Sequence, residues 1–141
     1  TKEEKIYSEK AKKFILSEEN GAESIFIGRV RNENSGKKVK AVTYDAHDKA
    51  VLKSFKTICD DAKSKFDKNA KIFVEHAKGY VSVKEISILI AVSSGHRDEA
   101  FKICRYILEE IKHKSPIWKK EHYVKEESAW LKGNPVLNEK V

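Results

Sequence analysis

The 141-residue sequence is 40% hydrophobic and 36% charged, with a formal net charge of +7, a composition that suits a packed globular core and excludes a low-complexity or disordered chain. Its longest apolar run, ILIAV at 88–92, falls far short of the roughly 20 residues of a membrane span, and the charged opening TKEEKIYSEKAKKF has no apolar export signal. The basic excess favours anionic partners such as phosphorylated metabolites, nucleic acid or an acidic protein, without choosing between them.

In chain order, YSEKAKKFIL (7–16) reads as a short amphipathic helix. SIFIGRV (24–30) alternates as a strand, NENSGKK (32–38) is a polar loop, and VKAVTYDAH (39–47) returns as a second strand. These two strands are expected to pair as a hairpin with a long tip. Val51, Phe55, Ile58, Ala62 and Phe66 recur at three and four, which predicts a helix over 48–66. KIFVEHA (71–77) and EISILIAVS (85–93) read as strands joined through a turn at Gly79, the second of them apolar on both faces and therefore central. From Asp98 to Lys114, a stripe of Phe101, Cys104, Leu108 and Ile111 predicts a helix that Pro116 ends. SPIWKKEHY (115–123) reads as a proline-tryptophan turn, and 133–141 as a frayed tail. The expected architecture is one α+β domain over 1–141, mainly antiparallel sheet with flanking helices. Cys59 and Cys104 fall in the apolar helical patterns and read as buried free thiols of a reducing compartment.

Three stretches could carry chemistry. SSGHRDEAF (93–101) joins the central strand to the last helix. Ser93 or Ser94 is expected to cap that helix, leaving its free amides, His96 and Arg97 to converge on an anion; a solvated first turn balanced by Asp98 and Glu99 is the plainer alternative. GRVRN (28–32) places Arg29 and Arg31 two apart at a strand end, a pattern that suits phosphate or carboxylate and equally a salt-bridged rim. Lys112 sits at the edge of the helix stripe, where it either snorkels or titrates partly desolvated, and Lys119 follows Pro116 and Trp118. His47, His76, His113 and His122 show no paired metal spacing. With no Ser-His-Asp pattern, glycine-rich phosphate loop or zinc signature, any catalysis must use lysine, arginine and histidine on an anionic substrate.

FIGRVRN (26–32), YDAH (44–47), AVSSGHRDEAF (91–101) and IKHKSPIWKKE (111–121), with Trp130 behind them, follow the order and spacing of one family. Over about residues 20–132 the chain resembles the large, catalytic subunit of molybdopterin synthase. That resemblance implies an α/β-hammerhead fold and a cytoplasmic sulfurtransferase of molybdenum-cofactor biosynthesis. Such an enzyme converts cyclic pyranopterin monophosphate to molybdopterin with sulfur from the thiocarboxylated C-terminal glycine of a small ubiquitin-like subunit. It implies a dimer of large subunits within a heterotetramer, and neither a cofactor, a metal, a nucleic acid nor a membrane. By the resemblance, Arg29, Val30 and Arg31 belong to the substrate-binding hairpin and His96 with Arg97 holds the phosphate end. Lys112 stands beside the incoming glycine tail and Lys119 behind the proline-tryptophan turn, the two together forming the catalytic pair. Lys120 and Glu121 follow in the substrate-binding set. The chain departs from the family pattern at His47 and Val51, and the tail after Trp130 carries no arginine. Outside the resemblance, the competing class is a non-catalytic basic module that grips RNA or docks a ubiquitin-like protein.

Overall fold

The computed structural model describes residues 5–124 and the backbone of 129–130. Its elements are α1 (Ser8–Ile15), β1 (Ala22–Arg29), β2 (Glu33–Asn34), β3 (Lys37–Ala46), α2 (Asp48–Lys65), β4 (Lys71–His76), β5 (Gly79–Ser82), β6 (Ile86–Ser94), α3 (Arg97–Lys114), β7 (Ile117–Tyr123) and β8 (Ala129–Trp130). The tail expected to fray, 133–141, lies outside the described residues.

Two antiparallel sheets result. In the first, of order β1-β6-β4, the middle strand is apolar at six of its nine positions and buried along nearly its whole length, as a strand covered on both faces requires. α1 packs on β4 and β6, whereas α3 packs on β1, β6 and α2. α2 buries Val51, Phe55, Ile58 and Ala62, the predicted face. It starts at His47, whose Nδ1 accepts from the Ala50 amide at 3.4 Å. The second sheet is built around β3, which pairs with β2, β5 and β7, and β8 adds to the outer side of β7.

Four local expectations give way. β1 and β3 do not form a hairpin: β1 pairs with β6, Ala22 opposite Ser94, while β3 belongs to the other sheet. The chain parts at Val30, whose amide donates to the Glu85 carbonyl and whose carbonyl accepts from the Lys84 amide. Only β2 turns back on β3, through Ser35 and Gly36 at φ 51° and 80°, the left-handed pair of a tight two-residue turn. Within SPIWKKEHY, Ile117–Tyr123 is strand β7 rather than a turn. On α3 the buried row is Ala100, Ile103, Cys104, Ile107 and Ile111, whereas Phe101 lies one position off that row and is exposed. Neither Ser93 nor Ser94 caps α3. Both are buried within β6, where the Ser93 hydroxyl donates to the Ile15 carbonyl and that of Ser94 to Asp67, so His96 is the N-cap residue and makes no side-chain cap bond.

Candidate active site

Strand alternation separates the two adjacent lysines of β7. Ile117, Lys119 and Glu121 share the inward row, and Trp118, Lys120 and His122 share the other face. Lys119 stands opposite Tyr44 on β3, and Lys120 opposite Thr43. On the outer face His122 Nε2 lies 2.7 Å from Thr43 Oγ1 and its ring 5.2 Å from Tyr80. Burial first, then the Lys120 and Lys40 ammoniums, lower the pKa of His122.

On the inner face Lys119 lines a cleft with Arg29, Val30, Arg31, Glu33, Asn34, Val42 and Glu121. A register shift between Gly28 and Arg29 swings the end of β1 toward it. The Arg29 Nη1 donates to the Lys84 carbonyl at 2.7 Å, fixing one side of that guanidinium. Val30 is buried in the core and holds the backbone between the two arginines. Glu121 is buried and accepts from Asn34 Nδ2 and from the Tyr123 hydroxyl, both at 2.9 Å. One carboxylate thus ties the β2–β3 turn to the strand that carries Lys119. The cleft is shallow and polar, lined mainly by charged side chains. Three cations and two carboxylates line it, and the cationic excess suits an anion.

Lys112 stands elsewhere, in a groove between α3 and β1 lined by Phe26, Cys104, Leu108 and Glu109 among others. His96 and Arg97 are farther off. β1 runs antiparallel to β6, with Arg29 opposite Ile86 and Ala22 opposite Ser94. At about 3.3 Å per residue, the loop carrying His96 and the cleft carrying Arg29 therefore lie roughly 25 Å apart along the sheet. His96 opens on a separate hollow with Asp67, Asn69, Ser94, Gly95 and Glu99. Asp67 takes the Ser94 hydroxyl at 2.5 Å and the Gly95 amide at 3.5 Å. The Ser94 hydrogen bond is the largest of the influences that lower its pKa, and His96 nearby adds to them.

Among the described residues no group of three or more His, Cys, Asp or Glu side chains could hold a metal ion. Burial pushes the Cys59 thiol up to about 11 and raises that of Cys104, so neither offers a thiolate near neutrality. Sequence reasoning missed His76, Asn34 and Asp67. His76 alone left a trace, as the histidine that closes the strand after Ile72, Phe73 and Val74; the other two act through contacts 87 and 27 residues away in the chain.

The profile of the MoaE protein family matches residues 1–114, including α1 and ending just before β7. The molybdopterin synthase catalytic subunit of Synechococcus elongatus is 38% identical over 130 residues, covering 92% of this chain and 79% of its own. The crystal structure of molybdopterin synthase from Staphylococcus aureus superposes with a TM-score of 0.88 at 32% identity, covering 94% of this chain and 95% of that one. A complex of subunits 1 and 2 of molybdopterin-converting factor from Helicobacter pylori shares the fold, with a TM-score of 0.69 at 22% identity over 83% of this chain and 75% of that one. No helix among the described residues is long and apolar enough to cross a membrane. With the family profile covering most of its length and close relatives on both sequence and structure, the chain belongs to the MoaE protein family.

Proposed function

We propose that the chain is the catalytic subunit of a cytoplasmic molybdopterin synthase, which converts cyclic pyranopterin monophosphate to molybdopterin with sulfur carried as a thiocarboxylate on a small ubiquitin-like subunit. The observation that carries this reading is Lys119, presented inward from β7 into a narrow cleft beside Arg29 and Arg31 in a chain of this family. Both its thiols are held protonated by burial, which fits a reaction whose sulfur is delivered by a partner. The cleft's cationic excess suits the carboxylate-bearing end of a peptide tail or one phosphate edge.

Each transfer leaves a carboxylate where the thiocarboxylate was, so protons must move at the reacting centre. Lys119 is the group placed to move them, and Lys112, at the groove beside β1, steers the tail. Arg29 and Arg31 hold the substrate by charge-assisted hydrogen bonds. Lys120 projects to the far face of the sheet and contributes charge at the rim. Glu121 acts through Asn34, fixing the hairpin that carries Arg31.

His96 and Arg97 stand too far from this cleft to serve it within one protomer. In a homodimer they serve the neighbouring subunit's cleft, each site being completed across the interface. The test is incubation of the protein with cyclic pyranopterin monophosphate and the thiocarboxylated small subunit. The expected result is dithiolene product at a rate well above the reaction without protein. A stable complex that yields no product would leave a docking scaffold and overturn the reading.

A further inference from the structure

His76 is the last residue of β4 and is 2% exposed, at the junction between the two sheets. Its Nδ1 lies 2.7 Å from the Ala77 carbonyl. A carbonyl only accepts, so Nδ1 carries the proton and Nε2 keeps its lone pair. The ring meets that of Tyr44 edge-on, with centroids 4.9 Å apart and an interplanar angle of 78°. Tyr44 is itself buried and is the direct cross-strand partner of Lys119, on the same inward row. Through Tyr44, His76 thus reaches from the first sheet to the strand position paired with Lys119.

We infer that His76 is a positioning residue for Lys119: a neutral imidazole that, with Tyr44, forms the floor against which the lysine is aimed into the cleft. The inference rests on the functional reading above, because it takes Lys119 as the reacting group. Burial above all, with the Lys119 ammonium adding in the same direction, pushes the His76 pKa down to about 4, against the opposing hydrogen bond to Ala77. The ring therefore stays uncharged at neutral pH. A charged imidazole there would repel the ammonium it supports, whereas a fixed lone pair and an aromatic edge do not.

Two variants separate aiming from packing. His76→Phe keeps the ring volume and the Tyr44 contact but removes the lone pair, and His76→Gln restores a polar acceptor. The expected result for the phenylalanine variant is a kcat at least about tenfold lower, the scale of a slightly misplaced reacting group. KM for the pterin and affinity for the small subunit should be unchanged, and the glutamine variant should recover most of the kcat. Wild-type turnover is the control that keeps a failure of the functional reading distinct. If wild type turns over and the phenylalanine variant matches it, or if kcat, KM and melting temperature fall together in both variants, the inference is wrong. Imidazole ¹⁵N spectra of the native chain test it without catalysis. The expected spectrum shows Nδ1 protonated and an Nε2 resonance that moves in Lys119→Ala; an Nε2 that carries the proton, or does not move, overturns it.

Discussion

Asp67 accepts the Ser94 hydroxyl at 2.5 Å and lies 3.5 Å from the Gly95 amide, so an internal carboxylate holds the turn that presents His96 and Arg97. The turn that reads from sequence as an open anion cradle is therefore a buttressed one. Its serines are spent on α1 and on Asp67, and the cations of the motif project beyond them.

Asp67→Ala should destabilise the fold by about 1–2 kcal/mol, the scale of a charge-assisted hydrogen bond at a partly exposed site. It should also loosen the His96 turn. Denaturant midpoints at neutral pH measure the first effect and amide exchange at Gly95 and His96 the second. An unchanged midpoint with unchanged exchange would mean that Asp67 follows the turn instead of holding it.

Acid should weaken the fold partly through His76. Its pKa is about 4 when folded, against 6.5 for an ordinary histidine, so between those values the unfolded chain binds the extra proton. The contribution is fully present above about 6.5, declines as pH falls, and is gone near 4. A shift of this size corresponds to about 3 kcal/mol. Stability curves of the wild type and His76→Gln over pH 4–7 check this. The wild type should be steeper, and parallel curves would contradict the buried neutral ring.

Arg97→Ala should weaken pterin binding by about 1.5–3 kcal/mol without disturbing the fold, because the residue is exposed. Calorimetry checks the affinity. If the sites are completed across a homodimer, mixing Arg97→Ala with Lys119→Ala subunits should restore activity, since each mixed dimer then holds one site free of both changes. Mixtures no more active than either variant would place both residues in the same protomer's site.

The extent to which the site could be read in advance follows from where its determinants lie. The isoleucine run of β6 and the three-four spacing of Val51, Phe55, Ile58 and Ala62 are local signals, and both elements are found where those signals put them. The pairing of β1 with β6 joins residues as far apart as Ala22 and Ser94, and no local pattern encodes it. β7 escaped because its inward row contains Lys119 and Glu121 where an ordinary strand has apolar residues. The charge on that row, satisfied by Asn34 and Tyr123 at Glu121, hides the strand and marks the site together. Likewise Phe101 and Cys104 fit a helical spacing, but only Cys104 lies on the row that packs against β1 and β6.

The most direct test of the account is Lys119→Arg in the sulfur-transfer assay, with Lys120→Arg beside it. Arginine keeps the positive charge but does not give up a proton near neutrality, and its planar fork replaces a compact ammonium. The account predicts that Lys119→Arg folds, dimerises and binds the small subunit, yet loses at least about two orders of magnitude in turnover, the scale of one acid-base group. Lys120→Arg, on the opposite face of β7, should stay close to wild type. Near-normal turnover in Lys119→Arg would contradict the account, reducing the residue to a source of charge.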